Sequence, residues 1–531
     1  MPAPSAFAPL RHPAFRLLWV ASLASNIGLW IQNTAAGWLM TSLAPSPAMV
    51  SMVQAASMLP VFLLALPSGA LADIMERRSY LLLTQAWLFV SATLLVVVEL
   101  SGGLGAWSLL AFTFLLGCGM AMSFPGWAAT TPELVPREDL VGAIALNGIN
   151  FNIARALGPA AGGLIVASFG VGVAFAINAV CIAALAVALV FWKREAPRAS
   201  LPPESFLSAI AVGLRFVRNT PAVKAAILRA MVFFLFGAAV WGLMPLLVRQ
   251  ELQLGAEAFG LMLGCMGAGA VFSGFIMPRF RARYGRGAIV LRASLISSGA
   301  MAVMGLAAPL GIGWPAVAVG IFLYGMCWLA GASTLQAAAS LAAPGWVRAR
   351  ALGIYQMSFF GAMAAGSVFA GWLGSQIGVP GALCLFAGLG AASALLVKRF
   401  GLDADTTDSK PAEQLRHIRP EPAAAELREL LHGESGRVLE SVRYTIEPEG
   451  RAAFLLHMEQ VRGVRMRAGA KLWRLYENVA HPERFVEMWV TASWTEHLRE
   501  ERRMTETDKA IVAKAAQFAT GAEASRYINL M

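Results

Sequence analysis

The run ALNGINFNIARALGPAAGG, residues 145–163, lies in an apolar block yet carries Arg155 near its middle, with Gly158, Pro159, Gly162 and Gly163 behind it. A charge inside hydrocarbon is costly and is kept where it faces protein or a water-filled path. Proline removes a helix hydrogen bond and bends the helix, and small residues let other helices come close. The run therefore predicts a bent membrane helix packed among others, with one cation directed away from lipid.

Working outward, twelve such blocks stand at roughly 16–42, 49–72, 79–100, 105–129, 141–168, 171–192, 223–248, 257–277, 287–308, 314–338, 350–377 and 379–398. Each is long enough to cross ~30 Å of hydrocarbon as a helix. Of 531 residues, 57% are hydrophobic and 14% charged, against about 25% charged in a soluble protein. The start, MPAPSAFAPLRHPAFRLLWV, lacks a small-residue cleavage site after a short apolar core, so it reads as the first span rather than a signal peptide.

Lysine and arginine fall on alternate loops. If both ends are cytoplasmic, that side receives Arg11, Arg16, Arg77, Arg78, Arg137, Lys193, Arg194 and most of the other loop cations, and the opposite side only Arg249. Through residue 400 there are 23 basic and 10 acidic residues; beyond it 19 and 21. The net charge of +11 thus points to an inner membrane with anionic lipid on its cytoplasmic face, and to no nucleic-acid partner. All five cysteines fall in predicted spans and read as small packing residues. No histidine falls in a span, which excludes a histidine proton relay, and no metal or other cofactor is expected.

A shift of 208 residues superposes the chain on itself. Pro13-Ala14-Phe15-Arg16 meets Pro221-Ala222-Val223-Lys224, Gly158 meets Gly366, Gly163 meets Gly371 and Gly170 meets Gly378. Two six-helix halves of one topology are an architecture of secondary transporters, with the substrate bound between them. The expected division is a first half (1–192), a cytoplasmic linker (193–222), a second half (223–400), a second linker (401–433) and a small domain (434–531). In the first linker Phe206, Leu207, Ile210, Leu214, Phe216 and Val217 suggest an amphipathic helix on the inner leaflet.

The loop SGALADIMERRSYL carries Gly69, Asp73, Arg77 and Arg78 at the spacing of the loop signature of the major facilitator superfamily, which residues 10–400 resemble. Ile74 stands where that signature has a basic residue, and Glu76 where it has glycine. The resemblance implies that Gly69, Asp73, Arg77 and Arg78 latch the cytoplasmic side in one of two states. GPAAGG is similar to the core of the motif found in antiporters of the superfamily, and so implies export; Ala154 replaces a preferred glycine. FPGWAATTPELVPREDL, followed by the asparagine-rich fifth span, resembles the bacterial secretion-effector branch, which includes enterobactin-exporter-like and macrolide-efflux-like proteins.

Arg155 is then the leading site residue, either holding an anionic group of a small-molecule substrate or joining a proton-linked network. Arg229, nearer a span end, is expected to snorkel. Further candidates along the path are Asn26, Gln32, Asn33, Asn147, Trp241, Trp328, Ser333 and Gln336, each equally readable as an interhelical contact. No carboxylate stands deep in a span; Asp73 and Glu99 lie at span ends. Coupling to protons falls to one of these two or to a protonatable substrate. Import is the alternative direction.

Beyond the second linker, alternating and helical patterns give the order β-α-β-β-α-β, a ferredoxin-like α+β fold. The segment resembles the small dimeric barrel of the antibiotic-biosynthesis-monooxygenase type, most plainly in SWTEHLRE with Trp494 and His497. The resemblance implies either a dimerisation or regulatory domain, with Trp494 in the core and His497 on a helix surface, or a cofactor-free oxygenase or haem-binding module anchored to a membrane. Twelve patterned spans in two repeats favour a transporter over an enzyme.

Overall fold

The computed structural model describes residues 7–136, 138–192, 206–344, 347–402 and 437–528. Arg137 and the expected linker stretches 193–205 and 403–433 lie outside the described residues. The chain forms two compact units: residues 1–203, 226–337 and 355–403 make one, and residues 204–225, 338–354 and 404–531 the other.

The first unit is an all-helical membrane bundle. Its helices are α1 (Pro13–Leu43), α2 (Pro47–Ile74), α3 (Arg77–Leu100), α4 (Ala106–Leu134), α5 (Leu140–Phe169) and α6 (Val171–Phe191). After α7 (Phe206–Asn219) come α8 (Pro221–Leu246), α9 (Ala256–Arg283), α10 (Arg286–Ala307), α11 (Trp314–Leu341) and α12 (Arg348–Val397). Eleven of the described helices are long and apolar enough to cross a membrane. The last, of 50 residues, is two arms meeting at Gly378 (φ 78°, ψ 163°), so the bundle has the twelve segments expected. Gly170, between α5 and α6, has φ 84°. These glycines stand 208 residues apart in a backbone region that other residues enter only with strain, so the repeat is written into the turns.

Polar side chains tie the first half together. The Tyr80 hydroxyl on α3 lies 2.7 Å from the Met122 carbonyl of α4 and 3.1 Å from the Ser68 carbonyl of α2, as donor. Arg229 on α8 is buried, contrary to the snorkelling expectation: its guanidinium donates to the carbonyls of Val397, Lys398 and Gly287. The end of α12 leaves carbonyls without helix partners, and a guanidinium supplies several donors to them at once.

The second unit holds the tail domain: β1 (Val438–Ile446), α13 (Arg451–Ala468), β2 (Leu472–Glu477), β3 (Arg484–Thr491), α14 (Trp494–Arg503), α15 (Glu506–Ala515) and β4 (Ala519–Ile528). The strand order is β2-β3-β1-β4, antiparallel throughout, which is the ferredoxin-like arrangement. Phe454, Met458 and Val461 of α13 pack on Val442, Tyr444, Phe485 and Trp489 of the sheet.

The same unit also gathers α7 and the segment between α11 and α12. Arg215 of α7 donates to the Gly469 carbonyl at 2.7 Å, and Arg503 donates to the Ala468 carbonyl at 3.2 Å. Two cations thus meet the negative end of α13. Phe216 and Val217 of α7 are buried, so this part of the helix meets protein where a leaflet contact was expected. The side chains of Phe206, Leu207 and Ile210 lie outside the described residues.

Candidate functional site

One end of the bundle, opposite the start of α1, is closed by contacts between the two halves. Arg249, just past α8, donates to Thr41 Oγ1 at 2.8 Å and to Ser42 Oγ, and its guanidinium lies 5.3 Å from the Trp38 ring centre. Gln250 donates to the Pro45 carbonyl at 3.2 Å, and the Ala48 N–H of α2 to Ser375 Oγ of α12 at 3.3 Å. Thr41 and Arg249 are themselves related by the 208-residue repeat. The single cation that the loop charges leave on this side therefore serves as a clasp.

The GPAAGG bend belongs to the same closure. A Cβ built on Gly163 would stand 2.6 Å from the Cα of Gly260 on α9. Gly158 abuts Trp30, and a Cβ on Gly162 would stand 3.1 Å from the Ile31 Cα, so these two face α1. The partners of these glycines are thus the first and eighth spans, while α6 packs on α1 through Gly28, Asn178 and Cys181. Pro159 has no N–H to offer the Arg155 carbonyl four residues back. That oxygen instead lies 3.2 Å from a Cβ built on Gly267 of α9. In the second half Gly366 abuts Ala238, the repeat image of Gly158 against Trp30, and Gly371 meets Pro47, Ala48 and Ser51 of α2. Each half thus presents a small-residue helix to the other.

Arg155 lies within this seam. It is 8% exposed, and its Nε and Nη2 are buried without a hydrogen-bond partner among the described residues. Tyr324 of α11 lies within its electrostatic reach, but the Tyr324 hydroxyl donates to the Gly237 carbonyl at 2.7 Å. Trp241 of α8 has its Nε1 buried and within reach of the Tyr324 hydroxyl. Its ring lies 5.9 Å from Trp30 and 5.7 Å from Trp328, and Trp328 lies 5.8 Å from Tyr324. Phe151, one turn before Arg155, meets Trp30 edge-on at 6.4 Å. The arrangement brings together a cation with no ion-pair or hydrogen-bond partner among the described residues and a wall of aromatic rings from both halves.

The other candidates occupy varied places. Asn26 donates to Asn150 Oδ1 at 2.9 Å, and Asn150 donates in turn to the Trp19 carbonyl and Ser22 Oγ, stitching α1 to α5. Asn147 donates to Thr131 Oγ1 of α4 at 3.0 Å. Gln32 is buried toward Asn178 of α6, whose amide lies 3.5 Å from its Oε1. Asn33 is half-buried, Gln336 is exposed, and Ser333 accepts from Arg281 at 3.1 Å. Sequence reading missed Asn150, Asn178 and Tyr324. The first two are isolated amides in apolar helices and were visible as such; Tyr324 became evident only through its neighbours.

At the opposite end the loop signature makes its contacts within the first half. Arg77 pairs with Glu133 at the end of α4, and Arg78 donates to the Leu189 and Val190 carbonyls that end α6. Glu76, where the signature has glycine, accepts from the Arg78 and Ser79 N–H groups and caps α3. A Cβ built on Gly69 would meet no described atom within 4 Å, so among the described residues Gly69 is not at a close helix contact in this conformation. The Asp73 side chain lies outside the described residues. Glu99 sits against Gly172 at the start of α6, where the helix end favours a carboxylate.

Residues 4–531 match the family model described as transmembrane secretion effector. The chain belongs to this family. The multidrug efflux pump Tap of Mycolicibacterium fortuitum is 27% identical over 386 residues, 70% of this chain and 91% of that protein. The enterobactin exporter EntS of Salmonella choleraesuis (strain SC-B67) is 26% identical over 332 residues, 61% of this chain and 76% of that one. A bacterial homologue of the human lysosomal transporter Spinster shares the fold, with a TM-score of 0.59 at 15% identity over 76% of this chain and 100% of that one. The protein is a multi-pass membrane transporter of the major facilitator superfamily for small molecules.

This secretion effector carries a second cluster of buried polar groups inside its tail domain. Glu487 is fully buried; it lies 3.2 Å from Arg465 Nε and accepts from the Tyr444 hydroxyl at 2.9 Å and Trp473 Nε1 at 3.0 Å. Arg465 also lies 3.7 Å from Glu500, which accepts from Trp489 Nε1 at 3.2 Å. His497, expected on a helix surface, is buried and pairs with Glu440, because α14 turns that face onto β1. Burial pushes the Glu500 carboxyl up to about 7, with the Arg465 cation opposing the rise. A carboxyl raised in the folded state costs stability as pH climbs from its unfolded value near 4.5 through 7. Glu500→Gln should therefore raise the tail's unfolding temperature at pH 8 and leave it nearly unchanged at pH 5. The effect at pH 8 is on the order of 3 kcal/mol; thermal unfolding of the full chain at both pH values checks it.

Proposed function

We propose that this protein is a secondary efflux transporter of a bacterial inner membrane, with both ends cytoplasmic, exporting a small organic molecule by alternating access. The observation that carries this reading is the unneutralised Arg155 at the seam between the halves, flanked by the small-residue contacts that close one end. A cation without a partner is ready for a ligand, and a seam built on glycines can part and re-form without rearranging side chains. Export is supported by the GPAAGG bend and by relatives named as an efflux pump and an exporter. Coupling to protons then rests on Asp73, on Glu99 or on the substrate itself.

The test is accumulation of a panel of drugs and siderophores in cells lacking their own exporters. Wild type should lower accumulation of at least one compound. Arg155→Ala and the double variant Gly158→Ala/Pro159→Ala should each fail, at normal membrane levels, by about tenfold or more, as expected when a charge-assisted contact is lost. Raised accumulation with wild type would reverse the direction.

A further inference from the structure

We infer that the seam takes an organic anion with a flat aromatic body and rejects the equivalent cation. This rests on the transport reading and names the substrate class of that same site. Arg155 Nε and Nη2 are buried donors without a hydrogen-bond partner among the described residues. The nearby Tyr324 hydroxyl is committed: it donates to the Gly237 carbonyl and lies within reach of Trp241 Nε1. Two carboxylates of the spans are engaged elsewhere, Glu133 with Arg77 and Glu99 at the start of α6. A guanidinium is charged at every physiological pH and has no acceptor of its own. The ligand must therefore supply both the negative charge and the lone pairs.

The walls decide the rest of the molecule. Trp30, Trp241, Trp328 and Tyr324 form a chain of ring contacts with centroid separations of 5.7 to 5.9 Å, drawn from the first half (α1) and the second (α8 and α11). Aromatic faces attract another ring by offset or edge contact. They also attract cations, so the rings alone would allow a cationic drug. Arg155 removes that option, because a second positive charge in the same desolvated seam is repelled more strongly than a ring attracts it. A carboxylate or phenolate accepts charge-assisted bonds from Arg155. Charge thus sets selectivity, and the rings set affinity.

Three probes of one shape test the inference: 1-naphthoate, 1-naphthamide and 1-naphthylmethylammonium, titrated calorimetrically into the purified full-length protein. The naphthoate should bind at least tenfold more tightly than the amide, and the ammonium most weakly. Arg155→Gln should bring naphthoate down to the level of the amide while amide binding persists, which shows that the variant is folded. Trp241→Ala, which removes a ring and no charge, should weaken naphthoate and amide by a similar factor. Equal binding of naphthoate and amide to wild type, tightest binding of the ammonium, binding of none of the three, or a charge preference that survives Arg155→Gln would each overturn it. Proteoliposome flux separates the two readings: a charge preference in binding without any movement of naphthoate retires transport and leaves the anion site, whereas flux of the ammonium alone keeps transport and retires the anion.

Discussion

Gly163→Leu should abolish transport while leaving the protein at normal levels in the membrane. A Cβ at this position would already lie 2.6 Å from the Gly260 Cα, 2.7 Å from the Ala256 carbonyl oxygen and 2.9 Å from the Gly260 nitrogen. These are backbone atoms of α9, so no side chain can rotate out of the way; the two helices must separate. The separation also loosens the clasp at the same end, where Arg249 reaches Thr41 and Ala48 reaches Ser375. Small-residue contacts supply much of the packing between membrane helices, because lipid gives them no hydrophobic drive to associate. A cycle that requires this end to close would stall with it open. Transport should fall by about a hundredfold, the result of a population shift of roughly 3 kcal/mol. Crosslinking of Ala48→Cys to Ser375→Cys, in a chain freed of its native cysteines, reports the state directly: efficient with Gly163, poor with leucine. Retained transport together with unchanged crosslinking would show that the helices tolerate separation and that the contact lies outside the cycle.

Arg465→Ala should unfold the tail domain. Glu487 is wholly inaccessible and Glu500 nearly so, and Arg465 is the cation that both carboxylates face. Arg465 also stacks 3.6 Å over Trp489, so alanine removes charge and packing together. Leaving a buried charge without its counterion costs about 3–5 kcal/mol, a large share of what a domain of this size has to lose. The domain's core of Phe454, Met458, Phe485 and Trp489 should then become open to protease in the full chain. The triple variant Arg465→Met/Glu487→Gln/Glu500→Gln removes the charges together and should recover most of the lost stability, since apolar or neutral replacements of a whole buried ion cluster are tolerated. Failure of that rescue would mean that Arg465 acts mainly through its stacking on Trp489.

The class of this protein was legible in its residues. Blocks of apolar residues matched to the thickness of a bilayer determine spanning helices with little help from tertiary context, because the lipid leaves backbone groups no other partner. The 208-residue repeat was legible for a related reason. A helix reversal at Gly170 or Gly378 needs a positive φ, and a close helix crossing needs a residue without a side chain at Gly158 or Gly366. Such positions admit few residue types and therefore leave a mark. The ferredoxin-like order of the tail followed in the same way from local alternation and helical periodicity.

What only the tertiary structure decided is which side chains meet. Glycines 158, 162 and 163 announce close packing but do not say against what; the first and eighth spans answer. Arg155 and Arg229 look alike in sequence, each a lone cation in an apolar helix. Arg229 meets the carbonyls that end α12, and Arg155 has no hydrogen-bond partner among the described residues and lies near Tyr324. Asn26 and Asn147, equally plausible on the path, find amide and hydroxyl partners within their own half. A polar side chain takes its meaning from whatever lies within about 3 Å of it, and in a bundle of long helices those neighbours come from segments a hundred or more residues away.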